Sequence, residues 1–232
     1  MGDIPRSVLV VAAHPDDCDV GVGGSAAKWA AEGAAVYLLV ATNGNKGSGD
    51  PLMTSAFLAP TRDKEQRAAA TFMGIREVVI RQTGDGELED NAEFRRDIVR
   101  CIRRFRPDRV VTHNPYRWQH RDHRVTGQVT LDAVYPYARD RLHYSELEHE
   151  GLLPHKVAEV YLFGGFSKDP EGDVAVDISD CLEAKLQALA CHTTQFGEPE
   201  AARQRWTSRW EQRMKENSGR ICEYFKRVEY PV

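Results

Sequence analysis

Short apolar runs alternate with amphipathic segments along most of this chain. Runs rich in valine, leucine and isoleucine predict buried strands at residues 7–13, 35–42, 77–82, 108–113 and 157–164. Helical patterns are predicted between and after them, at residues 23–33, 62–74, 92–105, 125–138, 177–192 and most of 198–224. This alternation predicts an α/β fold, a Rossmann-like three-layer α/β/α sandwich with a mostly parallel sheet, formed by a single domain over residues 1–232.

Three polar loops leave these strands at one edge of the predicted sheet. They follow the strands that end near residues 13, 42 and 113. Ligands of open α/β sheets bind just beyond the carboxyl ends of the strands. We therefore expect the functional site at this edge, where the stretch AAHPDDCDVGVGG begins.

The first of these loops carries side chains of the kinds that serve as metal ligands. His14 and Asp17 are three positions apart, and an imidazole nitrogen and a carboxylate oxygen are both good zinc ligands. A catalytic zinc takes three protein ligands, and the third is expected from H-R-D-H at 120–123, with His113 as the rival. Asp16, beside the pair, has the chemistry of a general base for metal-activated water.

The H-R-D-H stretch offers further catalytic groups. His120 can hydrogen-bond a developing oxyanion or protonate a leaving amine, and Asp122 can orient either neighbouring histidine. Taken singly, H-P-D-D and H-R-D-H are typical of ordinary solvated loops. Their joint position at strand exits favours a metal site. A binding module without catalysis and a purely structural metal site are the other interpretations, although Asp16 argues against the first and the lack of a fourth strong ligand against the second.

Composition and charge exclude several classes of protein. The 232 residues are 41% hydrophobic and 28% charged, which is typical of a soluble globular protein. A net charge of −4 argues against a nucleic-acid partner. No apolar window is long enough for a membrane span, and no secretory signal is recognisable. Five scattered cysteines without C-x-x-C indicate reduced thiols, so we expect a cytoplasmic location.

Two other enzyme classes are poorly supported by the motifs. The glycines at 21, 23 and 24 match a dinucleotide-binding loop only weakly, and no acidic residue ends the second strand, so a nicotinamide cofactor is not expected. These glycines instead predict close packing of the helix that follows. The G-x-S-x-G motif of serine hydrolases is absent.

Five stretches, in order, resemble the signature blocks of one enzyme family. AHPDDCDVGVGG, TNGNKG, RDKEQRAAATFMG, HRDH and HTTQ are similar to those of the PIG-L/LmbE-like zinc-dependent N-deacetylases. That family includes N-acetylglucosaminyl-phosphatidylinositol de-N-acetylases, mycothiol- and bacillithiol-pathway deacetylases and diacetylchitobiose deacetylases. The resemblance extends from about residue 7 to residue 196.

The resemblance implies an LmbE-like fold and a role for each matched residue. Zinc would be bound by His14, Asp17 and His123, and Asp16 would be the general base for a zinc-bound water. His120, tuned by Asp122, would stabilise the oxyanion or act as acid. Arg62 matches a substrate-binding arginine and Asp85 a carboxylate that hydrogen-bonds sugar hydroxyls, whereas Glu65 is expected to be structural. Iron can occupy the same ligands.

The implied substrate is a small molecule, an N-acetylglucosamine-type amino sugar or its conjugate, from which an acetyl group is removed. The alternative is another amide, such as a thiol conjugate or an acylated natural product. Three departures from the family pattern, at Asn43, Asp19 and Thr194, leave the metal site intact but keep the choice of amide open. A homo-oligomer is the tendency of the family.

Overall fold

A seven-stranded, mostly parallel sheet forms the centre of the molecule. The computed structural model of the chain describes residues 4–164, 172–216 and 218–228. The strands are β1 (Ser7–Ala12), β2 (Ala35–Val40), β3 (Glu77–Ile80), β4 (Arg109–His113), β5 (Glu159–Phe163), β6 (Val174–Asp177) and β7 (Cys222–Val228). Their order is β3-β2-β1-β4-β5-β7-β6. Strands β1 to β5 run parallel, and β7 is antiparallel to both of its neighbours.

Helices follow most of the strands. They are α1 (Asp17–Gly21), α2 (Gly23–Ala31), α3 (Ser55–Phe72), α4 (Ala92–Phe105), α5 (Arg121–Asp132), α6 (Leu182–Ala190), α7 (Thr193–Phe196) and α8 (Pro199–Glu216). Local sequence fixes several of their starts. Thr54 and Asn91, for example, accept hydrogen bonds from backbone N–H groups in the first turns of α3 and α4.

Alternating side chains of the central strand divide the core into two layers. Val8 and Val10 of β1 pack on one side with residues of α2, α3 and α6. Leu9 and Val11 pack on the other side with residues of α4 and α5. Successive side chains of a strand point to opposite faces, so a continuous apolar run requires cover on both. The predicted three-layer sandwich with a mostly parallel sheet is confirmed.

The strand order reverses beside β1. The chain proceeds from β1 to β2 and β3 on one side, and then crosses over to place β4 on the other. In open α/β sheets a ligand-binding crevice opens at this kind of reversal, because neighbouring loops leave in opposite directions. The H-P-D-D turn follows β1 and the H-R-D-H stretch follows β4, so this topology brings the two motifs to one crevice.

The C-terminal part differs from the predicted mostly helical tail. Helix α8 ends at Glu216, and Cys222–Val228 forms a strand that the sequence pattern did not predict. Glu223 and Phe225, two residues apart, are both buried, as expected of a strand that pairs with β5 and β6. Strand β6 was not predicted either.

Strand β7 also holds the helix that follows the H-P-D-D turn. The Glu223 carboxylate accepts hydrogen bonds from the backbone N–H groups of Gly24 and Ser25, at 3.0 and 2.8 Å. These groups belong to the first turn of α2, where a negative charge is favourable. Lys185 binds the same carboxylate and donates to the carbonyl of Val20 at 2.7 Å. Both charged side chains are buried, so they satisfy each other within the core.

Candidate metal centre

The turn after β1 brings two predicted ligands side by side. Asp17 Oδ2 accepts a hydrogen bond from the backbone N–H of His14 at 2.7 Å. Asp16, between them in sequence, has a left-handed backbone with φ 104° and ψ −27°. This conformation is rare for residues other than glycine and is concentrated at functional sites.

Three side chains from two loops lie in mutual contact, and Asp17 contacts the other two through different carboxylate oxygens. His14 Nδ1 lies 3.2 Å from Asp17 Oδ2 and 3.2 Å from His123 Nε2. His123 Nε2 in turn lies 3.2 Å from Asp17 Oδ1. Atoms bound tetrahedrally to one zinc, at about 2.0–2.2 Å from the ion, lie roughly 3.3 Å apart. The structure thus brings together His14, Asp17 and His123 with a spacing that fits a common ion.

The surroundings of His14 favour a positive charge. Burial alone would lower the pKa of His14, but hydrogen bonds with Asp122, Asp17 and Asp85 raise it to about 12. Burial alone would raise the pKa of Asp17, but the neighbouring charge and hydrogen bond of His123 lower it. A buried cluster with this excess of carboxylates is suited to a cation.

Two carboxylates face the second nitrogen of His14. Asp85 Oδ1 lies 3.2 Å and Asp122 Oδ2 lies 3.3 Å from His14 Nε2. Asp122 is fully buried and also accepts a hydrogen bond from the backbone N–H of Gly86 at 2.7 Å. Such partners fix the ring orientation of a metal-binding histidine. Asp122 was expected to orient one of the histidines, and its carboxylate contacts His14 rather than His120.

His120 begins α5 at the mouth of the crevice. Its Nδ1 accepts a hydrogen bond from the backbone N–H of Asp122 at 3.2 Å. Partial burial and the charge of His14 lower the pKa of His120, which favours the neutral ring. Because Nδ1 is an acceptor, the single proton of the neutral ring resides on Nε2. His120 therefore presents an N–H donor from an exposed side chain beside His14, with ring centroids 4.8 Å apart.

His113, the rival ligand, contacts the backbone directly after β1 and the ring of His123. Its Nε2 accepts the backbone N–H of Ala13 at 3.0 Å, and its ring stacks on His123 with centroids 4.1 Å apart. Burial and the charge of His123 lower the pKa of His113 to about 4. Its Nε2 lies 3.4 Å from Asp17 Oδ2, but the lone pair is already used by the backbone. His113 thus supports the ring of His123 from behind.

Arg62 contacts the H-P-D-D turn, not an open surface. The guanidinium donates to the carbonyls of Pro15 and Gly44, lies 3.2 Å from Asp16 Oδ2, and is almost completely buried. Burial and the charge of Asp17 raise the pKa of Asp16 to about 7, against the lowering effect of Arg62. The sequence led us to expect that Arg62 binds substrate. In the structure its two terminal nitrogens donate to backbone carbonyls and one of them lies beside the Asp16 carboxylate, so Arg62 orients the turn, and its contact with substrate stays a prediction.

The chain is similar in sequence to proteins of one known family. Residues 9–134, which include the H-P-D-D turn and the H-R-D-H stretch, match the family model of PIG-L, the GlcNAc-PI de-N-acetylases. The chain belongs to the PIG-L family. A diacetylchitobiose deacetylase of Thermococcus kodakarensis is 34% identical over 195 residues, which cover 83% of this chain and 71% of that protein.

Solved structures extend the PIG-L assignment to the whole fold. N,N′-diacetylchitobiose deacetylase from Pyrococcus horikoshii superposes with a TM-score of 0.85 at 27% identity, covering 97% of this chain and 84% of that one. GalB, the 4-carboxy-2-hydroxymuconate hydratase of Pseudomonas putida, superposes with a TM-score of 0.79 at 23% identity, over 98% of each chain. The second likeness shows the fold alone.

PIG-L membership makes this chain a hydrolase of N-acetyl amides, as the sequence predicted. Among the residues that the structure describes, no helix has the length and apolar character needed to cross a membrane.

The structure adds residues that the sequence analysis did not assign to the site. Gln66, one turn after Arg62 on α3, accepts the backbone N–H of Asp16 at 2.8 Å. Gln66 also donates to Asp19 Oδ2 at 2.9 Å, and Asp19 Oδ1 lies 3.3 Å from His192 Nε2. The four-residue spacing of Arg62 and Gln66 places both on one face of the helix, and this spacing was the available signal.

Glu65 and two glycines have the structural roles that the sequence predicted. The Glu65 carboxylate accepts hydrogen bonds from Thr193 and Thr194 and so holds the H-T-T-Q block.

A Cβ at Gly21 would lie 2.5 Å from Phe163, and one at Gly24 would lie 2.4 Å from Ile178. Only glycine therefore permits this close packing beneath the turn.

Proposed function

We propose that this PIG-L member is a zinc-dependent N-deacetylase that acts on an N-acetylglucosamine-type amino sugar or its conjugate. The observation that carries the proposal is the set of 3.2 Å contacts that links the side chains of His14, Asp17 and His123 pairwise, with Asp16 beside them. The diacetylchitobiose deacetylase relative supports the substrate class.

The proposed zinc ligands are His14 Nδ1, an oxygen of Asp17 and His123 Nε2, and the carboxylates on His14 Nε2 would hold that ring in place. When bound, the ion polarises an amide carbonyl and lowers the pKa of a bound water to about 7. Three protein ligands leave a position for that water and for substrate, as in catalytic zinc sites. Iron can bind the same donor set.

In this proposal two side chains move or hold protons. Asp16 accepts a proton from the attacking water, and Arg62, 3.2 Å from its Oδ2, fixes the orientation of the carboxylate. His120 offers its Nε2–H to the oxygen of the scissile amide as negative charge develops there. The proton taken up by Asp16 then passes to the leaving amine, which completes hydrolysis.

The first test is metal content together with amine release. We expect about one zinc per chain in the purified protein, and release of free amine from N-acetylglucosamine or N,N′-diacetylchitobiose. Chelation should abolish the release and added zinc should restore it, because the ion polarises the scissile bond. Metal without release from either sugar would redirect the proposal to other amides, such as a thiol conjugate. Absence of both, even with added zinc, would contradict it.

Asp122→Asn tests the support of His14. Weakening this carboxylate is expected to lower zinc affinity by roughly 10- to 100-fold, because the partners of a metal-bound histidine orient it and raise its basicity. Competition with a chromogenic chelator measures the change. Asp132→Asn, on the same helix but paired with Gln128, is the matched control and should behave as the wild type. Equal zinc affinity in the two variants would remove Asp122 from this role.

A further inference from the structure

Asp16 has a backbone conformation that its own residue type does not favour. Its φ of 104° lies in the region that glycine normally occupies, so contacts from the surrounding structure must hold it. The backbone N–H of Asp16 makes one such contact, a 2.8 Å hydrogen bond to Gln66 Oε1. Gln66 is fully buried, so no water competes for this bond.

The orientation of the Gln66 amide is determined by Asp19. A carboxylate only accepts hydrogen bonds, and Asp19 Oδ2 lies 2.9 Å from Gln66 Nε2. The NH2 group must therefore face Asp19, which leaves Oε1 to face the N–H of Asp16. If the amide were rotated, its NH2 group would face the N–H of Asp16 and its oxygen would face a carboxylate, so both contacts would be repulsive.

The second oxygen of Asp19 is directed toward His192. Asp19 Oδ1 lies 3.3 Å from His192 Nε2, and both residues are fully buried. A buried carboxylate needs donors on both oxygens, and His192 is the group at ion-pair distance from the oxygen that Gln66 does not use. This contact is an ion pair and not a hydrogen bond, and it places the H-T-T-Q block, which contains His192, against Asp19.

We propose that Gln66, Asp19 and His192 form a buried chain that holds the backbone of Asp16 in its left-handed conformation and so positions its carboxylate for catalysis. The inference rests on the proposed role of Asp16 as the base. The three are positioning residues, since they act on the reaction only through Asp16. Together with Arg62, which fixes the carboxylate itself, Gln66 makes one face of α3 the support of the catalytic base.

The sharpest test exchanges the hydrogen-bond donor and acceptor between Gln66 and Asp19. Gln66→Glu puts two carboxylates face to face and should lower kcat by about ten- to a hundredfold, the range expected for a small misplacement of a catalytic group. KM and zinc content should stay near the wild-type values. The double variant Gln66→Glu/Asp19→Asn restores one donor facing one acceptor and should recover most of kcat. A purely steric role for Gln66 would make the two losses accumulate.

Two further variants complete the design. Gln66→Leu removes both contacts at similar volume and should lower kcat as Gln66→Glu does, but cause no additional loss when combined with Asp16→Asn. Thr130→Val, an equally buried polar residue that hydrogen-bonds to Thr126, is the matched control and should keep wild-type kcat. If Gln66→Glu fails to fold, the kcat of the double variant still tests the proposal. A kcat near the wild-type value supports the positioning role of Gln66, Asp19 and His192, and a folded double variant with low kcat overturns it.

The series also separates this inference from the proposed function. Full turnover of Asp16→Asn would show that Asp16 is not the base, whatever Gln66 does. Loss of turnover in Asp16→Asn, with wild-type kcat in both Gln66→Leu and Gln66→Glu, would leave the deacetylase proposal standing and overturn the positioning chain alone.

Discussion

Asp16→Asn is expected to lower kcat for amine release by about 10²- to 10⁴-fold, the usual contribution of a positioned general base. The amide cannot accept the proton of the attacking water, although it has nearly the same shape as the carboxylate. Zinc content should stay at the wild-type level, because none of the three 3.2 Å contacts among His14, Asp17 and His123 involves Asp16. Steady-state kinetics and metal analysis of the same preparation give both values.

Asparagine is the appropriate replacement because of the backbone at this position. It tolerates left-handed conformations better than most residues, whereas alanine at φ 104° would add conformational strain to the chemical change. Asp16→Ala should therefore lose turnover as well, with a lower melting temperature than Asp16→Asn. Wild-type kcat in the asparagine variant would overturn the assignment of the base.

His123→Ala should release the metal and abolish activity. Removing one of the three proposed ligands is expected to lower zinc affinity by more than about 100-fold. Mutation of a group that only hydrogen-bonds to a ligand already lowers metal affinity by roughly 10- to 100-fold. The imidazole lies 3.2 Å from both other ligand groups, so its removal leaves the proposed site with two of its three ligands. Metal analysis after dialysis against a weak chelator measures the loss.

His113→Gln is the matched control for this ligand. The glutamine oxygen can still accept the backbone N–H of Ala13, which is the hydrogen bond that His113 makes in the structure. Metal content should therefore remain near one zinc per chain. If His113→Gln lost the metal and His123→Ala kept it, the two histidines would exchange roles and the ligand set would be wrong.

The sequence pattern predicted the sheet well where strands are buried on both faces. Runs such as residues 8–12 are uniformly apolar because helices cover both sides of the sheet. Parallel topology then places the loops that follow these strands at one edge of the sheet. Strand β7 was missed because its pattern is interrupted by charge: Glu223 is buried through a hydrogen-bonded pairing with Lys185 and α2 that composition cannot reveal.

The motif residues of the site were predictable, but their contacts were not. Spacing along the chain puts His14 and Asp17 on one turn, whereas the approach of His123 depends on the pairing of β4 with β1. Arg62 shows the limit most clearly. A charged side chain in a family motif predicts a ligand contact, and the three-dimensional structure adds that two of its nitrogens donate to carbonyls of two loops.

The carboxylate of Glu223 caps a helix whose first residues precede it by 199 positions. During synthesis, α2 therefore emerges from the ribosome long before its capping group exists. Contacts of such long sequence separation form late, after the loop between them has closed. We therefore expect nascent chains halted before Glu223 to bind zinc weakly at the proposed site.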